Sequence, residues 1–392
     1  MRLGLVLTND WEVFGDGSGD YFDLQHRPLQ QLLRVVEDHG ARLTVMAEVG
    51  QQWAHLEAGA GRAWAREIAT AWEAMLRETV KRRSDVQLHL HPQWLHATCI
   101  DAGRWQVDFA WWATGTLPPD VLRETLQRGK QYLERLLRPV DAAYACVAFR
   151  AGGYCIQPSR HVIAALRAAG FRCDSSVSKG LVQPPFYDYR DAPSYVLPWF
   201  ASPEDVGRAT PGTDGLLELP IYTRRTLDLP ILRKVISPAL YYRLFHGVRV
   251  AREDRQWLSE KRRTRGRRYP LAQRPFKGGH RSSVSWWLAQ AMSLGALQLD
   301  YDALPPSVFV RLLEAIYDDE ETDGLRHREE VVLPVVASGH TKDMHNTANI
   351  ARILAAVRAR LGERIVFWTL RDAIDAWTGA APAVPTARAR SA

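Results

Sequence analysis

Along the chain, short apolar runs rich in β-branched residues alternate with longer stretches in which apolar residues recur every three or four positions. The runs predict strands at 3–7, 42–46, 86–91, 145–149, 170–173, 216–219, 331–337 and 365–368. The longer stretches predict helices at 28–39, 53–81, 119–137, 159–169 and 346–361, with Pro118-Pro119-Asp120 opening one and Gly170 and Gly362 closing two others. Strands that alternate with helices pair in parallel, so the expected class is α/β, as an open doubly wound sheet or a closed or nearly closed barrel. No glycine fingerprint for a nucleotide follows the first strand. The nearest run, Gly15-Asp16-Gly17-Ser18-Gly19, is acidic and repels phosphate. The barrel is preferred, and in a barrel the chemistry gathers at the C-terminal ends of the strands.

The rhythm breaks between about 223 and 304. Residues 224–277 hold 16 Lys/Arg against four Asp/Glu, or +12, which leaves the rest of the +7 chain at −5. A basic character confined to one segment reads as a local surface for an anionic partner rather than a property of the fold. The expected division is 1–223 as the first part of the barrel, 224–304 as a basic helical insertion or cap, 305–379 as the last strands and helices, and 380–392 as a disordered tail. The arginine-rich run at 261–268 belongs to no nucleic-acid recognition motif, and no nucleic-acid partner is expected. The apolar run at the N-terminus is too short for a secretory leader, so a cytoplasmic chain is expected, able to rest on a membrane face through its basic segment. Cys99, Cys146, Cys155 and Cys173 stand too far apart for a paired zinc knuckle and read as reduced, packed thiols.

Four strand ends carry candidate chemistry. The first strand ends in Thr8-Asn9-Asp10-Trp11-Glu12, where the period of two turns Asp10 and Glu12 to one side. Another ends in Asp85-Val86-Gln87-Leu88-His89-Leu90-His91, and the same period aligns both imidazoles. Two aligned histidines plus one carboxylate match the donor set of a catalytic Zn²⁺ or related divalent ion. Phe149-Arg150-Ala151-Gly152-Gly153-Tyr154 sets a permanently charged guanidinium beside glycines that permit close backbone approach, suited to holding a carboxylate ionised. Val335-Val336-Ala337-Ser338-Gly339-His340 delivers a candidate general acid.

In this order the four motifs resemble the polysaccharide deacetylases of the NodB-homology type, carbohydrate esterase family four. Thr44-Val45-Met46, Asp174-Ser175-Ser176 and Val366-Phe367-Trp368-Thr369-Leu370 look like the same family, and the resemblance covers roughly 3–223 and 305–377. It implies a distorted (β/α)7-type barrel and a metal-dependent hydrolase that removes an N-acetyl group from an amino sugar or glycan precursor, with metal-bound water as nucleophile. Asp10 is then the base, Arg150 its partner, His340 the acid, and Glu12, His89 and a second histidine the metal ligands. The sequence departs from the family where adjacent aspartates become Asp10-Trp11-Glu12 and where the histidine spacing shortens to His89-x-His91, with Gln93 at the usual position. His91 is assigned as the second ligand because it faces the way His89 does, with His96 its competitor. Leu217-Glu218-Leu219-Pro220 resembles a later family motif, in which Glu218 would orient His340.

Tyr154, Trp11 and Trp94 are the expected substrate contacts, within an aromatic group that also includes Trp111, Trp112 and Trp199 and suits stacking on sugar faces. A phosphate-bearing substrate would suit the basic segment. Two other readings stand beside this one. The first is hydrolysis of a non-peptide C–N bond in a small amide; the second is a non-catalytic glycan- or phosphate-binding barrel, which loss of Asp10, Arg150 or His340 would have favoured.

Overall fold

The computed structural model describes residues 1–226, 236–268, 295–344 and 346–379. Apart from two small hairpins (Thr98–Asp101 with Arg104–Gln106, and Val182–Gln183 with Tyr187–Asp188), its strands are β1 (Arg2–Trp11), β2 (Thr44–Glu48), β3 (Asp85–Leu90), β4 (Ala148–Ala151), β5 (Cys173–Asp174), β6 (Trp199–Phe200), β7 (Leu217–Glu218), β8 (Thr223–Arg225), β9 (Ala296–Gln298), β10 (Val332–Ala337) and β11 (Ile365–Trp368). The helices that cover them are α1 (Arg27–Asp38), α2 (Val49–Ala58), α3 (Ala63–Lys81), α4 (Pro119–Leu137), α5 (Arg160–Ala168), α6 (Pro238–His246), α7 (Arg252–Arg268), α8 (Pro306–Ala315), α9 (Ala348–Leu361) and α10 (Leu370–Gly379).

The main sheet runs β6-β7-β5-β4-β3-β2-β1-β10 and is parallel except at its β6 edge. It curls until its ends meet. Just beyond β7, Ile221 pairs in parallel with Val336 of β10, and the Tyr222 N–H donates to the Val336 carbonyl at 2.9 Å. The result is a distorted (β/α) barrel. β1 sits at its irregular point: residues 8–11 pair with β2, but residues 3–6 pair with β11 along the same edge.

β1 is almost wholly buried, as expected of a strand flanked by core on one face and helices on the other. Helix α1 shows how the outer layer packs: it buries Leu29, Leu32, Leu33 and Val36, the spacing of one helical face. The helical pattern expected over 53–81 is two helices, because Gly59 and Gly61 lie in a turn between α2 and α3. α2 also starts earlier than the pattern suggested. Glu48, the last residue of β2, caps it by accepting hydrogen bonds from the Gly50 and Gln51 N–H groups. The four cysteines are free thiols, and all but Cys99 are buried. Among the described residues no helix is long and apolar enough to cross a membrane.

One glycine shows how closely the strands approach. A Cβ on Gly4 would lie 2.3 Å from the Trp368 ring of the neighbouring strand. Gly4→Ala is therefore expected to retain the fold but lose about 1–3 kcal/mol through overpacking. Urea denaturation would show a lower midpoint with an unchanged slope; an unchanged midpoint would mean that Trp368 does not pack on Gly4.

Candidate active site

Asp10 reaches the C-terminal mouth of the barrel near the end of β1, where it is 2% exposed. Its Oδ1 accepts a 2.7 Å hydrogen bond from Arg150 Nη1, and Arg150 is itself 0% exposed. The guanidinium is held on several sides: Nη1 also donates to Thr8 Oγ1, Nε to the Ser175 carbonyl, and Nη2 to Ser175 Oγ. Burial alone would raise the Asp10 pKa, but Arg150, then His89 and His340, outweigh it and hold the carboxyl well below the usual range. Asp10 is a carboxylate with one oxygen tied and the other, Oδ2, facing His340 Nε2 at 3.4 Å.

Two residues along, Glu12 points to the same side and meets the histidines of β3. Its Oε2 lies 2.5 Å from His91 Nε2 and 3.5 Å from His89 Nε2. His89 Nδ1 sits 2.9 Å from the Arg150 carbonyl, which can only accept, so this nitrogen carries the proton and Nε2 of a neutral ring presents a lone pair. Burial would lower the His89 pKa, but Asp10 and then Glu12 outweigh it and raise it, so this corner of the pocket favours a cation, whether a ring proton or a metal ion in its place. Glu12 Oε2, His89 Nε2 and His91 Nε2 are all buried, and none has a partner outside this group of three. A carboxylate oxygen and two imidazole nitrogens that converge in a buried pocket with no other partner form a donor set that a divalent cation answers, so the residues present fit a metal ion. Burial pushes the His91 pKa down, towards the neutral ring that a metal ligand must be. The other oxygen of Glu12 accepts from Lys342 Nζ, and burial's upward push on the Glu12 carboxyl is outweighed by His91 and Lys342.

Glu48 lies in the same cluster, but both of its oxygens are in use. Oε1 caps α2, and Oε2 accepts the His91 N–H at 2.6 Å, fixing the backbone that carries the ligand. His340 is 20% exposed and sits between two carboxylates. Besides Asp10, it faces Asp302, whose Oδ2 accepts the His340 backbone N–H at 2.7 Å and lies 3.8 Å from ring Nδ1. Burial would lower the His340 pKa, yet Asp10 and Asp302 overcome it and hold the ring protonated well above the ordinary imidazole value. Tyr154 completes the wall in a left-handed backbone conformation (φ 64°), its hydroxyl accepting from Gln298 Nε2 at 3.2 Å.

The structure thus brings Asp10, Glu12, His89, His91, Arg150, His340 and Tyr154 to one mouth. Other expectations are corrected. Trp11 is wholly buried among the helices, stacked on Trp72 and donating its Nε1–H to the Gln25 carbonyl. Trp94 is buried edge-on to Trp105, and Trp199 is buried with its indole donating to the Val206 carbonyl. Aromatic rings beside the cluster come instead from half-buried Trp112, which meets His91 edge-on and packs with Phe109 and Phe186. His96 is exposed against Trp111, away from Glu12. Glu218 does not orient His340; its carboxyl accepts from the Val177 N–H and shares a hydrogen bond with Asp174, while Asp302 stands next to the histidine.

Sequence reasoning passed over Glu48, Asp302 and Lys342. Glu48 ends a strand and Lys342 lies two residues beyond His340, so the strand-end rule applied to every carboxylate and amine would have found both. Asp302 gave no such signal, because it lies in the span taken as a cap. The side chains of Arg262, Arg263, Arg265, Arg267 and Arg268, and all of Trp286 and Trp287, lie outside the described residues.

No family model and no curated protein matches the chain. Among solved structures it is similar to a protein described as a polysaccharide deacetylase from Mycobacterium smegmatis, at 14% identity over 100% of this chain and 95% of that one, with a TM-score of 0.44. A second deacetylase, from Pseudomonas aeruginosa PAO1, aligns at 13% identity over 96% and 91% with a TM-score of 0.40. The PuuE allantoinase aligns at 12% over 97% and 92% with a TM-score of 0.43.

A glycine lies directly against the His91 ring. A Cβ on Gly152 would meet the His91 ring at 2.5 Å, so Gly152→Ala is expected to push His91 out of line and weaken divalent-metal binding about 10- to 100-fold. His91→Ala should abolish stoichiometric binding and His96→Ala should leave it intact, both read by metal titration of purified protein. The reverse pattern for the two histidine variants would remove His91 from the ligand set.

Proposed function

We propose that this chain is a metal-dependent hydrolase that removes the acetyl group from an N-acetylated amino sugar or glycan precursor, cleaving a carbon–nitrogen bond other than a peptide bond. The observation that carries this reading is the placement of Asp10: one oxygen held by Arg150, the other 3.4 Å from His340 Nε2, with the orphaned atoms of Glu12, His89 and His91 beside it.

An acetamide resists water because its carbonyl is weakly electrophilic and its amine leaves badly. When bound by Glu12, His89 and His91, a divalent ion, zinc by the character of that donor set, would supply Lewis acidity toward the carbonyl and a lowered pKa for water. Asp10, kept ionised by Arg150, takes the proton of the attacking water. His340, kept protonated by Asp10 and Asp302, gives a proton to the departing amine. Tyr154 Oη accepts from Gln298 and so retains its own proton for a substrate oxygen. Trp112, with Phe109 and Phe186, offers an aromatic platform for a sugar face. A cytoplasmic location is part of the proposal, as is a substrate that belongs to glycan assembly.

Acetate release from a panel of N-acetyl sugars tests this reading. Asp10→Asn and His340→Ala should each keep the metal yet lose about 10²- to 10⁴-fold in kcat. Near-normal turnover in either variant would remove that residue from the mechanism. The pH profile carries a further sign. The acid must be protonated, so its contribution is present below the His340 pKa and is lost as pH rises through it. Because that pKa is raised, the alkaline limb of kcat/KM should fall above the ordinary imidazole value of about 6.5. A limb at or below that value would contradict His340 as the acid.

A further inference from the structure

Helix α7 belongs to the basic segment, yet it is tied to the barrel mouth. Trp257 is buried beneath it, Asp254 pairs with Arg352 of α9 at 2.8 Å, and Lys261 reaches inward. Lys261 Nζ lies 2.5 Å from Asp302 Oδ1 and also donates to the Asp302 carbonyl; the two side chains are only 12% and 4% exposed. Asp302 turns its opposite oxygen to His340, and the far ring nitrogen of His340 meets Asp10. A continuous line of contacts therefore runs from Lys261 through Asp302 and His340 to Asp10.

We propose that Lys261 is a positioning residue for the general acid: by pinning Oδ1 and the carbonyl of Asp302, it keeps Oδ2 on His340, and the basic segment thereby takes part in the chemistry. The inference rests on the hydrolase reading given above. A carboxylate unrestrained at one oxygen can rotate and present either one; a cation on Oδ1 removes that freedom. Lys261 also decides which acid keeps its charge. Asp300 lies in the same cluster, where burial and then Asp302 push its carboxyl up to about 7, and Lys261 is the cation on Asp302. Without it the two acids would share a proton more evenly, and the negative charge now held on Asp302 beside the His340 ring would be divided between them. The groups facing His340 are Asp10 from β1, backed by Arg150, Tyr154 after β4, and Asp300 and Asp302 after β9, with Lys342 on its own turn.

Lys261→Met and Lys261→Gln should lower kcat about 10- to 100-fold with KM changed less than about 2-fold, and should move the alkaline limb to lower pH. Lys261→Arg, which keeps the charge, should restore most of the rate. Asp254→Asn cuts the other anchor of the same helix, so it should lower Tm while leaving kcat and the pH profile at wild type. In protein labelled at histidine, the His340 ring signal, identified by its loss in His340→Asn, should titrate at lower pH in Lys261→Met than in wild type. If wild type releases no acetate but this midpoint still moves, the hydrolase reading fails and the link from Lys261 to His340 stands. If Lys261→Met and Lys261→Gln match wild type in midpoint and profile, or if Asp254→Asn reproduces their changes, the positioning role is overturned.

Discussion

The buried ion pair of Arg150 and Asp10 is the constraint on which the mouth of this barrel depends. A guanidinium with no exposure is tolerable only when its donors find partners, and here four of the five N–H groups are placed on Asp10, Thr8 and both acceptors of Ser175. Those partners lie on β1 and on the turn after β5, so one side chain on β4 fixes two other strand ends. Removing either charge would leave the other buried and unpaired, at a cost of about 3–5 kcal/mol. The pair also sets the site's direction, because Oδ1 is occupied and only Oδ2 can face His340. The Arg150 carbonyl, on the same residue, fixes the tautomer of His89.

The parts of this arrangement that follow a period were legible in the sequence. Alternation along β1 and β3 places Asp10 with Glu12 and His89 with His91, and the alternation of strands with helices implies the parallel sheet. Trp11 illustrates the same rule misapplied: an alternation that sends residues 10 and 12 inward must send residue 11 outward, into the helical layer beside Trp72. What was not legible comes from outside the strands. Trp94 lies in a short turn where no period applies, and its burial depends on Trp105 arriving from a later hairpin. Asp302 follows β9, within the span that looked like an insertion, and only the closure of the chain at Ser338 brings it to His340. Sequence spacing carries no information about such a contact.

Two groups of carboxylate and imidazole share the mouth, and their chemistry differs. Asp300, Asp302 and His340 form one, but Lys261 already supplies its cation and none of its atoms is buried without a partner. Glu12, His89 and His91 form the other, where Lys342 engages only the outer oxygen of Glu12 and three inner atoms remain unsatisfied. The first group can therefore hold a proton in place while the second holds a metal.

Anomalous diffraction from crystals of the protein grown with one equivalent of zinc, recorded on both sides of the zinc edge, tests that division directly. A single peak within bonding distance of Glu12 Oε2, His89 Nε2 and His91 Nε2 is the expected result. No peak there, or a peak between Asp300, Asp302 and His340 instead, would contradict the assignment of the metal site and, with it, the roles given to Asp10 and His340.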